Sequence, residues 1–201
     1  MVENPKLTEK MFVFLYCLSQ VNSKFNINTF RRYIYLYYMT KAFFDNNGTD
    51  DVVIAVEKGN VKILNFDDIL NDFQLHDYIE IKDNEIIVKQ NLKDYVGKLV
   101  ANEAMLSRLY KQINPFVNLL KSYDDQYIFT IFFSEPTFTR ATQGAETEIS
   151  PLKSQLSKLL IEFKKKITNN KIDDYDILSH WMDFILKNYY ETEGENQYGK
   201  Q

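Results

Sequence analysis

Histidine, cysteine, glycine and proline are all scarce in this sequence. Its 201 residues include two histidines, one cysteine, six glycines and four prolines. A single cysteine excludes an internal disulfide framework, and the apolar run 11–18 around Cys17 predicts a buried structural thiol in a reducing compartment. His76 and His180 are far apart and lack a second ligand at metal-binding spacing, so we predict neither a metal site nor any other cofactor.

Long apolar runs and a strong charge imbalance are also missing. The apolar run near the N-terminus covers residues 11–18, and Glu3 and Glu9 precede it. A membrane span needs about 20 apolar residues, so this run is too short. We therefore expect a cytoplasmic protein with no membrane partner. The formal charge is −4, from 24 basic and 28 acidic side chains, so any contact with nucleic acid must be local.

Motifs for catalysis are absent as well. The chain contains no nucleophile elbow of the G-x-S-x-G type and no glycine-rich loop that cradles phosphates. Paired aspartates occur at 50–51, 67–68, 124–125 and 173–174, and each pair lies at an expected turn or helix start, where Asp caps backbone amides. We therefore predict that the protein is not an enzyme.

Apolar and aromatic residues are plentiful in the N-terminal half, and they predict two long helices. With 45% hydrophobic residues the chain has enough material for a core. A helix over 8–22 would be apolar on nearly every side and therefore central. A second helix is expected from Asn28 to the turn signal Asn46-Asn47-Gly48, and a short third helix over 66–74.

Two β-hairpins are predicted around these helices. Residues 52–56 and 61–64 flank a turn in which Gly59 would supply a positive φ. Residues 78–82 and 85–89 flank Asp83-Asn84, and a two-residue loop there would pair Ile81 with Ile86 and Ile79 with Val88 on one buried face.

The C-terminal half has mainly helical spacing. Residues 94–122 predict one helix or two in tandem, with a break or kink at Pro115. Residues 127–133 suit a buried strand, although a short buried helix has the same apolar content. Ser150 and Pro151 would open a helix with a leucine stripe, and a last helix is expected over 174–190.

Between these elements, residues 134–149 form the one long polar stretch, and we predict a loop there. Phe138 and Arg140 stand out in it, because an aromatic side chain beside an arginine is a pair enriched at binding hot spots. Either the loop orders against a partner subunit, with Phe138 in an apolar pocket and Arg140 on a carboxylate, or it is a connector that contacts nothing.

Basic side chains are clustered at two places. One cluster is Arg31 and Arg32 on the second helix. The other comprises lysines on the helix after Pro151: Lys153, Lys158, Lys164, Lys165, Lys166 and Lys171. One interpretation is that these basic side chains form solvated helix faces. The alternative is a local contact with DNA phosphates or with an acidic partner.

The order of elements predicts an α+β fold that is predominantly helical. A winged-helix-like N-terminal unit with two β-hairpins would span 1–93, followed by a helical C-terminal half, 94–201, that shares its core. The helix at 66–74 carries Asp67, Asp68 and Asp72 but no Arg or Lys, which argues against insertion into a DNA major groove. Such a unit is expected to dock proteins.

The chain resembles the middle component of bacterial three-component ABC-ATPase anti-phage defence systems of the Lamassu type. The resemblance is carried by the overall size, the helical C-terminal half, the Tyr/Phe-rich helices at 12–18 and 30–36, and the Leu75-His76-Asp77-Tyr78-Ile79 entry to the wing-like hairpin. It implies an accessory subunit that bridges an SMC-like ATPase and a nuclease-type effector. The alternative is a winged-helix DNA-binding regulator or antitoxin-like protein.

Overall fold

A computed structural model describes residues 5–45, 52–144, 148–167 and 172–198, which are mainly helical with two small antiparallel sheets. The helices are α1 (Pro5–Ser19), α2 (Ile27–Phe44), α3 (Phe66–Leu75), α4 (Gln90–Asn102), α5 (Ala104–Lys121), α6 (Asp125–Phe133), α7 (Pro136–Thr142), α8 (Gln155–Lys166) and α9 (Asp174–Tyr198). The strands are β1 (Lys24–Asn26), β2 (Ile54–Glu57), β3 (Asn60–Ile63), β4 (Ile79–Lys82), β5 (Glu85–Val88) and β6 (Glu148–Ile149). The prediction of a predominantly helical α+β fold is confirmed.

The first sheet has the strand order β1-β5-β4. Ile81 pairs with Ile86 and Ile79 with Val88, so the predicted register of this hairpin is confirmed. Ile79, Ile86 and Val88 are buried, whereas Ile81 is half-buried. The strand β1 was not predicted, because three residues carry no period of their own and form a strand only by pairing with β5.

The second sheet has the order β3-β2-β6 and joins the two halves of the chain. Lys58 and Gly59 form the turn between β2 and β3 with φ values of 51° and 78°, which confirms the predicted positive φ at Gly59. Ile54 of β2 pairs with Ile149 of β6, and both side chains are buried.

Aromatic contacts hold the first three helices together. The Phe12 ring of α1 lies 4.0 Å from Phe73 of α3, and the Phe30 ring of α2 lies 5.6 Å from Phe66 of α3, between centroids. The helix α2 is central, since eleven of its residues are buried. Burial of these aromatic rings contributes to the stability of the fold.

The chain between 90 and 121 forms two helices, but their break is not at Pro115. Glu103 takes an extended backbone conformation and separates α4 from α5, while Pro115 lies inside α5. Ile113, Phe116 and Val117 around the proline are fully buried. Their packing outweighs the one backbone hydrogen bond that proline removes, so of the break or kink predicted at Pro115 the break was wrong.

Of the two alternatives for 127–133, a buried strand or a short buried helix, the structure has the helix, α6. Ile128, Ile131 and Phe132 are buried at helical spacing, while Phe129 and Phe133 are exposed. An apolar run on its own does not distinguish a buried strand from a helix. Packing of α6 against α2 and α9 decides the conformation.

Residues 134–149 are not one loop, because they contain α7 and β6. Pro136 occupies the first turn of α7, and the Glu135 side chain caps it. Downstream, a 3-10 turn (Pro151–Lys153) precedes α8, whose cap is Ser154 and not Ser150. The predicted turn Asn46-Asn47-Gly48 lies outside the described residues.

Candidate functional site

A groove of about 680 Å³ lies between α1, α3 and the junction of α4 with α5, and we call it the α1–α4 groove. Its apolar surface comes from helix faces that pack side by side: Phe12 and Val13 from α1, Val96 and Leu99 from α4, and Leu106 from α5. Val96 and Leu99 are three residues apart, so they lie on one face of α4. The volume is within the range of ordinary binding pockets.

One wall of the groove is aromatic. The Phe12 ring lies 5.3 Å from Tyr78 and 5.9 Å from Tyr95, and the Tyr78 and Tyr95 rings stack at 5.5 Å. Burial, followed by the nearby Tyr95 and Asp72, raises the pKa of Tyr78. Tyr95 is 44% exposed, so an apolar ring remains open to a partner.

The rim of the groove is acidic. Glu9 from α1, Asp72 from α3 and Glu103 from the α4–α5 junction line it, and no described lysine or arginine does. Among the described lining residues His76 is the one basic side chain, and its Nδ1 lies 3.5 Å from Asp72 Oδ1. Three carboxylates around an apolar floor suit a ligand that is apolar on one side and cationic at its edges.

The exposed face of α3 is acidic too. Asp67 and Asp68 are exposed in its first turn, where they also favour the helix dipole. Arg31 of α2 reaches this face, and its Nη2 lies 2.7 Å from Asp67 Oδ1 while its guanidinium lies 4.8 Å over the Phe66 ring. The predicted contact residue Arg31 is therefore engaged within the chain.

The neighbouring arginine is engaged as well. The guanidinium of Arg32 lies 4.8 Å over the Phe129 ring and 5.9 Å from the Phe132 ring, and the side chain is half-buried. Burial lowers its pKa, although the charge of Asp125 acts in the opposite direction. Both arginines stabilise the packing of α2 against its neighbours, and their predicted contact with DNA or an acidic partner stays a prediction.

The structure corrects the prediction for Phe138. Its side chain is only 2% exposed and contacts the rings of Phe132 at 4.6 Å, Phe133 at 5.2 Å and Tyr35 at 6.4 Å. It anchors α7 to α2 and α6, so it is not free to insert into a partner. Arg140, two residues further on, is exposed.

Arg140 lines a second cavity of about 210 Å³, together with Lys153 and Lys158. We call it the cation cavity. Helix α7 supplies the arginine, the 3-10 turn supplies Lys153, and α8 supplies Lys158. The structure therefore brings to one cavity Arg140 from the predicted loop 134–149 and two lysines from the predicted basic cluster.

The other lysines of the predicted cluster do not line this cavity. Lys164 pairs with Asp174 at 2.5 Å and lies 5.7 Å from the Phe43 ring. Lys165 and Lys166 are exposed at the end of α8. Lys171 lies outside the described residues.

Comparison with known proteins gives no family for this chain. No protein-family model, no curated protein and no solved structure matches it. The groove and the cation cavity must therefore be interpreted from their own chemistry.

Cys17 lines neither the α1–α4 groove nor the cation cavity. Cys17 is 1% exposed, and burial raises its pKa to about 12, which keeps the thiol protonated and poorly nucleophilic at neutral pH. Within the described ranges no three His, Cys, Asp or Glu residues are grouped so as to hold a metal ion. No helix in that part of the chain is both long and apolar enough to cross a bilayer.

The carboxylates of the groove rim were not recognised in the sequence. Glu9, Asp72 and Glu103 are far apart in the chain and have no shared spacing. Only the packing of three helices brings them to one rim. The one local signal is that Glu9 shares a helix face with Phe12, at a spacing of three residues.

Proposed function

We propose that this protein is a non-catalytic accessory subunit that docks a partner protein in the α1–α4 groove. The observation that carries the proposal is the groove's apolar floor within a rim of three carboxylates. Its occupant is an amphipathic helix of the partner, with apolar residues against Phe12 and Leu99 and Lys or Arg opposite the rim.

The arrangement of the N-terminal elements supports a winged-helix assignment for this docking unit. The elements α1, β1, α2, α3, β4 and β5 follow one another, and β1 lies beside β5. A winged-helix unit has the same order, with three helices and a wing whose second strand pairs with the strand after the first helix. In this assignment the β2–β3 hairpin is an insertion between the second and third helices.

Charge favours a protein partner over DNA for this unit. The third helix of a DNA-binding winged helix enters the major groove and needs cations or amides that read base edges. Here α3 presents Asp67, Asp68 and Asp72, which repel phosphates. The alternative function, a winged-helix DNA-binding regulator, therefore lacks support from α3.

The resemblance to the middle component of Lamassu-type defence systems suggests which assembly this is. In that assignment the partners are an SMC-like ATPase and a nuclease-type effector, and the protein acts in the bacterial cytoplasm against phage. The protonated, buried Cys17 supports a role without nucleophilic catalysis by this residue.

Co-expression with the products of neighbouring genes tests the proposal. We expect an SMC-like ATPase to co-purify with the tagged chain. The double variant Glu9→Lys with Glu103→Lys reverses two rim charges and should lower recovery of the ATPase by about tenfold or more, because like charges across an interface cost several kcal/mol.

The control is Glu80→Lys with Glu162→Lys, which makes the same charge change at exposed positions outside the groove. It should recover the ATPase as the unchanged chain does. The proposal fails if no ATPase co-purifies, or if the groove variant recovers as much ATPase as the control while both melt like the parent.

A further inference from the structure

The cation cavity gathers basic side chains without a carboxylate among its described lining residues. Several lysines elsewhere do pair with carboxylates, as Lys24 does with Glu85 at 2.5 Å and Lys89 with Asp77. No carboxylate is among the described residues that line the cation cavity. A chain with more acidic than basic side chains thus keeps three cations together at one small cavity.

These cations have no hydrogen-bond or ion-pair partner among the described residues. Arg140, Lys153 and Lys158 come from α7, the 3-10 turn and α8, and their side chains line the same space because α7 packs against α8. Like charges held together repel, and an anion between them would remove that repulsion. Arg140, Lys153 and Lys158 are exposed residues, so an anion can reach them from solvent.

Neutral donors complete the lining. Thr137 Oγ1 accepts a hydrogen bond from the Gln155 backbone N–H at 2.9 Å, which leaves its hydroxyl proton undonated within the described part of the chain. Ser150 also lines the cavity, and its hydroxyl makes no capping bond to the 3-10 turn. The cavity thus offers hydroxyl donors as well as cationic ones to a ligand.

We propose that the cation cavity binds a phosphate group carrying two negative charges, as in orthophosphate or a phosphate monoester. Three formal positive charges match a dianion better than the single charge of a carboxylate or of an internal phosphodiester. The guanidinium fork of Arg140 suits two phosphate oxygens, and the ammonium groups act as point charges. The volume of 210 Å³ is about seven times the ~30 Å³ of one water molecule, which is enough for such a group.

The site is independent of the α1–α4 groove, because the two share no lining residue. Failure of one proposal would leave the other standing. Phosphate binding here would allow a nucleotide or another phosphorylated small molecule to bind at α7 and α8.

Calorimetric titration of the full chain with orthophosphate, in chloride buffer of matched ionic strength, tests the site. The triple variant Arg140→Gln, Lys153→Gln and Lys158→Gln should raise the Kd for orthophosphate by more than about tenfold, since it removes three charge-assisted donors. The control triple variant Lys6→Gln, Lys98→Gln and Lys111→Gln removes the same charge from exposed positions outside the cavity and should bind like the parent.

Titrations with adenosine monophosphate, with a DNA duplex and with a glutamate-rich peptide identify the class of ligand. If adenosine monophosphate binds with the same dependence on the triple variant, the natural ligand is a small phosphomonoester. If a DNA duplex without terminal phosphates shows that dependence too, backbone phosphates also occupy the site. The proposal is overturned if the parent does not bind orthophosphate, if the triple variant binds it equally well, or if only a glutamate-rich peptide depends on the three residues.

Discussion

The Tyr35 hydroxyl donates a 2.6 Å hydrogen bond to Glu135 Oε2, and both side chains are fully buried. The same carboxyl group accepts hydrogen bonds from the backbone N–H groups of Thr137 at 3.0 Å and Phe138 at 2.7 Å. One side chain therefore connects the central helix α2 to the first turn of α7. Burial, and then the charge and the hydrogen bond of Glu135, raise the pKa of Tyr35 well above its ordinary value.

Removing Glu135 should therefore destabilise the protein. Glu135→Ala takes away the cap of α7 and leaves the Tyr35 hydroxyl buried without its acceptor, so we expect a loss of roughly 2–4 kcal/mol in the free energy of unfolding. Urea denaturation measures it. A double-mutant cycle with Tyr35→Phe should show a coupling energy of about 1 kcal/mol or more, and strict additivity would mean that the hydrogen bond is unimportant.

Replacing Phe138 should affect folding. Phe138→Ala creates a cavity among aromatic rings and should cost about 3–5 kcal/mol in the free energy of unfolding. The control is Phe184→Ala, because Phe184 is 60% exposed and its loss should change stability by no more than about 0.5 kcal/mol. Equal melting of the two variants would contradict the burial of Phe138.

The wing-like hairpin allows a graded test of its buried face. Ile86→Asp places a carboxylate at a fully buried position and should cost several kcal/mol, whereas Ile81→Asp, at a half-buried position of the same face, should cost less. Denaturant midpoints of the two variants give the order directly. The reverse order would show that the register of β4 and β5 is wrong.

Alkaline pH should weaken the fold through tyrosines whose folded-state pKa is raised. Burial raises the pKa of Tyr123 from 10.0 to about 12; the hydrogen bond with Ser179 lowers it, and the hydrogen bond and charge of Asp183 raise it further. The stability from this group is complete below pH 10 and is lost as the pH rises from 10 through about 12, since the unfolded chain releases its proton first. Absorbance titration of tyrosinate should show a smaller late phase in Tyr123→Phe, in which buried tyrosines such as Tyr35 still titrate late, and an unchanged profile would refute the assignment.

The single thiol should be inert until the protein unfolds. Cys17 is buried and its pKa is raised to about 12, so both access and thiolate formation are limited. A thiol reagent at pH 8 should modify Cys17 only in denaturant. Rapid modification of the native protein would contradict its position in the core.

Local sequence signals predicted the elements that carry their own pattern. The alternation around Asp83-Asn84 predicted the register of β4 and β5, and Gly59 marked the turn of the other hairpin, because turn geometry and side-chain period act over a few residues. The short strands β1 and β6 have no such period. They exist because β5 and β2 offer them backbone hydrogen bonds.

The sequence by itself determined that most of the chain is helical, that Cys17 is buried, and that α3 is acidic, since these depend on residue type and local spacing. Tertiary packing alone decided that 125–133 is a helix and that Phe138 is a core residue, because an apolar segment takes the conformation that its neighbours can cover. Tertiary packing also decided which residues form the two candidate sites. The rim carboxylates and the three cations each come from separate elements, and like charges gather from distant positions only where the packed backbone holds them.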